Sequence, residues 1–154
     1  MVRYFEDIEI GETHEHGSYD VTEEEIVEFA EQYDPQPFHT DPEAAKETSF
    51  GGLAASGWHT AAMCMRLLVE AMEEAEWASQ GARGVDELRW IRPVRPGDSI
   101  TAEYEVIEKR DGDRPGIGEV DSRLTGYRGG ADGEEREPVI SWIGLGMVEK
   151  RDGN

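Results

Sequence analysis

The stretch from Trp58 to Val69 constrains the fold of this chain more than any other. Trp58, Ala61, Ala62, Met63, Cys64, Met65, Leu67, Leu68 and Val69 cover nearly the whole circumference of a helix. A helix apolar on all sides is buried on most of them. The small-residue turn Phe50-Gly51-Gly52-Leu53-Ala54-Ala55-Ser56-Gly57 leads into it, and its acidic C-terminal end emerges into solvent. A helix over about 57–74 therefore needs something to wrap it.

The second half of the chain reads as that wrapping. Val85 to Ile91 is one strand, and Pro96-Gly97-Asp98 is a turn. Ile100, Ala102, Tyr104 and Val106 then alternate with Thr101, Glu103 and Glu105, the period of a half-buried strand. Gly118 to Tyr127 is another strand, beyond a Gly/Asp/Pro loop at 111–116. Val139 to Val148, beyond a loop from Gly129 to Pro138, is the most apolar of them.

Upstream, Thr13 to Asp20 alternates loosely after Gly11 and predicts a first strand. Thr22-Glu23-Glu24-Glu25 is a capping box, and Ile26, Phe29 and Ala30 at helical spacing predict a helix over about 23–32. Asp34-Pro35-Gln36-Pro37 ends it, because each proline pushes its predecessor out of the α region. Asp41-Pro42 opens a brief helix through Ala44 and Ala45. Consecutive strands after one buried helix imply an α+β fold, an antiparallel sheet curled around that helix.

Length and composition limit the alternatives. At 154 residues the chain suits a single domain over 1–154, with no repeat and no dividing linker. Its opening residues lack the basic and apolar regions of a signal peptide, and no stretch is long and apolar enough for a membrane span. One cysteine, Cys64, excludes an internal disulfide and suits a reducing compartment, so a cytoplasmic location is expected. Asp and Glu total 35 against 15 Lys and Arg, a net charge of −20, which disfavours nucleic acid as a partner. The acids are spread among well-patterned apolar positions, as on a surface adapted to high salt. At molar ionic strength the Debye length falls to about 3 Å and carboxylate repulsion is screened.

The segment Tyr33-Asp34-Pro35-Gln36-Pro37-Phe38-His39-Thr40-Asp41 carries the chemistry. Asp34 lies five residues before His39, with prolines between, and a rigid extended segment of this kind presents both side chains to one site. A carboxylate and an imidazole converging on one water suit hydration of a conjugated thioester, which needs one proton removed and one delivered. Histidine titrates near neutrality and serves both directions.

This stretch resembles the Asp-x-Asn-Pro-x-His hydratase motif of the MaoC-like family, and residues 50–60 resemble that family's approach to its central helix. The resemblance covers roughly residues 22–75, and residues 89–106 through Arg92-Pro93-Val94-Arg95-Pro96-Gly97-Asp98. It implies a hot-dog fold and an (R)-specific enoyl-CoA hydratase or acyl-CoA dehydratase, with no cofactor beyond the CoA of the substrate. It implies that Asp34 and His39 are the catalytic pair and that the Gly57 N–H binds the thioester carbonyl, glycine letting the ligand approach closely. Gln36, standing where the family has Asn, and Ser56 are expected at the substrate pocket. A serine of some members' central helix falls on Met65. The resemblance also implies a homodimer, for which the apolar last strand offers a surface.

Other constellations weigh less. Ser56 with His39 and Asp34 could form a nucleophilic triad, but Ala54-Ala55-Ser56-Gly57 is not a nucleophile elbow. His14, His16 and His59 have no metal-binding spacing, and the first two read as exposed strand residues. Cys64, Met63 and Met65 read as core. Arg89, Arg92 and Arg95 either meet CoA phosphates or pair with surface carboxylates. A hot-dog thioesterase and a non-catalytic acyl-CoA-binding module are the competing functions.

Overall fold

A computed structural model of the protein describes residues 1–130 and 135–153. Its strands are β1 (Thr13–Glu15), β2 (Tyr19–Asp20), β3 (Ser79–Trp90), β4 (Ser99–Asp111), β5 (Ile117–Gly129) and β6 (Arg136–Glu149). Its helices are α1 (Glu23–Tyr33), α2 (Pro37–Thr40), α3 (Pro42–Ala45) and α4 (Gly57–Glu74), with a 3-10 turn at Phe5–Asp7. All strand pairs are antiparallel, in the order β1-β4-β5-β6-β3, and β2 also pairs with β4.

Helix α4 packs on one face of this sheet. It buries Met63, Cys64, Leu67 and Ala71, and the first three join a core with Ile100 and Ala102 of β4, Leu124 of β5, and Ile140 and Trp142 of β6. Burying a side chain such as Leu67 contributes about 1.5–3 kcal/mol. The approach is tightest at Gly126, where a Cβ would stand 2.6 Å from Cys64 Sγ and 2.7 Å from Ile140 Cγ2. A larger residue there would push α4 off the sheet. Burial pushes the Cys64 thiol up to about 12, so it acts as a packing group.

Several elements differ from their expected form. The expected first strand breaks into β1 and β2 around Gly17, which has φ +68°. The proline-rich segment is not extended. Pro37 and Pro42 each take a first helical position and open a one-turn helix, because proline's fixed φ already fits there. Strand β3 begins at Ser79, well before Val85, in a glycine-rich polar run with no alternation. The expected loop from Gly129 to Pro138 is shortened by β6, which begins at Arg136, and residues 131–134 lie outside the described ones.

Helix α4 is not buried on most sides. The sheet covers one flank and leaves Trp58, Met65 and Val69 57%, 43% and 39% exposed, so Met65 is not a core residue. The last strand is not an edge either. β6 lies between β5 and β3, and β3 is the long edge strand, exposed along almost its whole length, with the short β1 and β2 at the opposite edge. Register shifts and a left-handed Glu87 (φ +52°) interrupt β3, which blunts it against indiscriminate pairing. Among the described residues no helix is long and apolar enough to cross a membrane.

The N-terminal segment is tied to β1 through a half-buried charge cluster. Glu12 accepts two hydrogen bonds from Arg3, at 2.8 and 3.0 Å, one from the Glu9 N–H at 3.0 Å and one from His14 Nε2 at 2.9 Å. Burial favours the neutral acid, but these donors outweigh it and hold the Glu12 carboxyl down at about 2. A depressed carboxylate contributes stability above its ordinary range and loses it as pH falls through the folded value. Glu12→Gln is therefore expected to cost about 1–3 kcal/mol at pH 7. That cost should shrink as pH drops below about 4.5. Urea unfolding of both proteins at pH 7 and pH 3 checks this; an equal difference at both would contradict it.

Candidate active site

Asp34 and His39 are brought together by the two ends of the proline segment. Asp34 is the C-cap of α1, its N–H bonded to Ala30 O at 2.8 Å. His39 sits in the single turn of α2 that Pro37 initiates, and it is 6% exposed. Its Nε2 lies 3.4 Å from Asp34 Oδ2. Phe38 meets its ring edge-on at 4.5 Å between centroids, with Phe50 6.1 Å away.

The other ring nitrogen fixes the tautomer. His39 Nδ1 lies 2.6 Å from the carbonyl oxygen of Ala54, which can only accept, so Nδ1 carries a proton. In the neutral ring Nε2 then holds a lone pair, facing a carboxylate oxygen across 3.4 Å. Two acceptors at that separation suit a group with two protons to donate, and water is the smallest.

Both oxygens of Asp34 have donors of their own. Gln36 Nε2 donates to Oδ1 at 2.6 Å, and Ser56 Oγ donates to Oδ2 at 2.7 Å. Desolvation works against ionisation, yet these two donors outweigh it and hold the carboxyl below its usual range. Ser56, expected at the substrate, is fully buried instead. Gln36 does line the cavity, with its amide nitrogen turned onto Asp34.

A cavity of about 630 Å³ opens beside the pair, lined by Tyr33, Asp34, Gln36, His39, Gly57, Trp58, Trp90 and Arg92 among others. Ser56 caps α4 by accepting the Trp58 N–H at 3.3 Å. The Gly57 amide, one residue earlier in the first turn, has no i−4 helical carbonyl to bond and belongs to the positive end of the helix dipole. The space beside Gly57 is not open for a ligand, however. A Cβ there would stand 2.3 Å from the Trp90 indole, which meets Trp58 edge-on at 5.1 Å. Nothing in the sequence marks this aromatic pair, because Trp90 reads as the end of a strand and Trp58 as helix core.

The three arginines separate. Arg95 holds the turn before α4, donating to the carbonyls of Phe50, Gly52 and Leu53. Arg92 lines the cavity while bonded to Pro138 O at 3.0 Å and paired with Glu137 at 3.3 Å. Arg89 bonds the Leu88 carbonyl at 2.8 Å. The three other histidines also part. His14 joins Glu12, His16 pairs with Glu74, and His59 is buried flat on Phe29 at 4.6 Å.

The chain matches the family described as the MaoC like domain over residues 7–127. It is 32% identical over 101 residues to the uncharacterized protein YdeM of Bacillus subtilis, covering 66% of this chain and 71% of that one. A 3-hydroxybutyryl-CoA dehydratase of Methylorubrum extorquens is 34% identical over 109 residues, 70% of this chain and 66% of its own. Among solved structures, a MaoC-like dehydratase from Rhodospirillum rubrum superimposes with a TM-score of 0.84 at 37% identity, over 97% of this chain and 98% of that one. An (R)-hydratase from A. caviae gives 0.69 at 24% identity, over 93% and 97%, a likeness of fold. The hot-dog fold expected from sequence is thus borne out.

The contact between Gly57 and Trp90 generates a prediction. Gly57→Ala must displace the half-exposed indole, because a methyl cannot share its space. In 1H–15N spectra the indole N–H signals of Trp90 and its neighbour Trp58 should move, while those of Trp77 and Trp142 stay. Unmoved Trp90 and Trp58 signals would show that the indole does not rest on Gly57.

Proposed function

This chain belongs to the MaoC-like dehydratase family, and on that footing we propose that it reversibly hydrates an enoyl-CoA to a 3-hydroxyacyl-CoA, with Asp34 and His39 as the acid-base pair. The observation that carries this is the pair of facing acceptors, His39 Nε2 and Asp34 Oδ2, 3.4 Å apart at the wall of the cavity. A water donating to both has its oxygen free to attack the β carbon. His39 Nε2 takes the proton as the new C–O bond forms, and electrons move onto the thioester oxygen. The imidazolium then returns a proton to the α carbon, and the ring regains its starting state. Asp34, held below the ordinary carboxylate range, is a weak base and serves to orient water and to balance the imidazolium charge.

The Gly57 N–H is the donor proposed for the enolate oxygen, at the positive end of α4. A second, apolar cavity of about 340 Å³ lies further along the helix, lined by Met65, Leu68, Val69, Met72 and Trp142 among others, and supplies room for an acyl chain. The chemistry proposed needs no cofactor beyond CoA. Exposed Trp58, Met65 and Val69 on α4, with Val85 and Trp90 on β3, support a second copy of the chain on that side. The net charge of −20 supports a cytoplasm of high salt.

Two experiments test this reading. Asp34→Asn and His39→Ala should each lower hydratase turnover at least about a hundredfold while leaving the fold intact. Loss of enoyl absorbance without thiol release measures it; thiol release would instead mark a thioesterase. Folded variants with near-normal turnover would remove the pair from the mechanism.

The second isolates the amide. Gly57→Pro and Gly57→Ala bring the same Cβ against Trp90, but only proline lacks the N–H, and proline suits a first helical position. Proline should therefore lose roughly 10²–10³ more turnover than alanine. Equal losses would assign the oxyanion to another donor.

A further inference from the structure

We propose that Ser56 is a positioning residue for Asp34, locking the carboxylate to the start of α4, and that it makes no contact with substrate. The proposal rests on the hydratase reading above. Ser56 is 0% exposed, so no ligand in the cavity can reach its hydroxyl. Its Oγ accepts the Trp58 N–H at 3.3 Å and donates to Asp34 Oδ2 at 2.7 Å. A hydroxyl has one proton to give, and here it goes to Asp34. No proton is left for an incoming oxygen, and the buried Oγ has no route to act as a nucleophile.

The bond joins two elements that the chain keeps 22 residues apart. Asp34 ends α1, and Ser56 begins α4 beside Gly57. Gln36 grips the other carboxylate oxygen from only two residues away, so it follows Asp34 wherever α1 goes. Ser56 does something Gln36 cannot, because it ties the carboxylate to the element that carries the Gly57 amide. The attacking water is oriented at one end of this link and the thioester oxygen is held at the other. Their separation decides whether water meets the β carbon in line, and a shift of about 1 Å can cost a hundredfold.

The hydroxyl is charge-assisted at its Asp34 end, and losing it also releases part of what keeps the carboxylate ionised. Both effects act through Asp34. That gives the test its form, a double-mutant cycle read in turnover. Ser56→Gly removes the hydroxyl while glycine remains a tolerable N-cap. In the wild-type background it should lower kcat by about 10–100-fold with KM within about twofold. In an Asp34→Ala background the same substitution should change kcat by less than about twofold, because the group it acts through is already gone. Circular dichroism of each variant establishes folding; if Ser56→Gly does not fold, Ser56→Ala is read in the same cycle.

Equal losses in the two backgrounds would overturn the proposal, since Ser56 would then act independently of Asp34. So would a raised KM with unchanged kcat, the mark of a substrate contact. If Asp34→Ala alone kept full turnover, the acid-base reading would have failed first, and the Ser56 proposal would fall with it.

Discussion

The site depends on one requirement: the buried extended segment Leu53–Ser56 must satisfy its own backbone. Its residues are between 0% and 6% exposed, where an unpaired amide or carbonyl is costly. Several of these polar groups recruit a neighbour from elsewhere in the fold. Ala54 N–H bonds Phe38 O at 3.1 Å, which fastens α2 to the segment. Ala55 N–H bonds Val94 O at 2.8 Å, which fastens the loop after β3. The carbonyls of Gly52 and Leu53 draw in the Arg95 guanidinium, and the Ala54 carbonyl draws in His39 Nδ1. The tautomer of the candidate base is thus a by-product of backbone satisfaction, with no dedicated carboxylate behind the ring.

The electrostatics of the site follow a logic unlike that of the surface. Most charged contacts on the surface are ion pairs, such as Arg66 with Glu70 at 3.1 Å or Lys46 with Glu43 at 3.1 Å. Pairs of that kind weaken as salt shortens the Debye length. Asp34 is held ionised chiefly by two neutral donors, an amide and a hydroxyl, at 2.6 and 2.7 Å. Hydrogen bonds from neutral dipoles depend less on salt than ion pairs do, and the Ser56 bond is also partly buried. A chain carrying 35 acidic residues therefore keeps one carboxylate tuned by neutral dipoles in place of an ion pair with Lys or Arg.

Local signals are legible in the sequence wherever local physics decides. The limits of α4 can be read because Ser56 and Gly57 start the helix and an apolar run sustains it. The Thr22 cap is legible too, and Thr22 Oγ1 does accept the Glu25 N–H, while the Glu25 carboxylate bonds the Tyr19 hydroxyl instead of returning to the cap. The pairing of Asp34 with His39 is visible in their spacing, although the turn between them is helical. What stays hidden is non-local. The first half of β3, Ser79 to Gly84, faces solvent and carries no pattern; pairing with β6 makes it a strand. Which flank of α4 stays uncovered depends on where the sheet ends. Ser56 reaching Asp34 and Trp90 reaching Gly57 are contacts across 22 and 33 positions, and no residue type announces them.

The strand order has a consequence for how the molecule is made. β3 is the first long strand to leave the ribosome, yet its partner β6 is the last. Ser79 pairs with Val148 and Trp90 with Ile140, so this ladder closes long loops that span the whole of β4 and β5. Loop closure of that kind is slow, and until it happens β3 is an unpaired edge beside an uncovered apolar helix. During that interval the cavity wall is missing as well, because the Ile91 N–H waits for Val139 O and Arg92 waits for Pro138 O. The bulges and left-handed residues of β3 then have a kinetic use: a strand that kinks is a poor template for the wrong neighbour while the right one is still being synthesised.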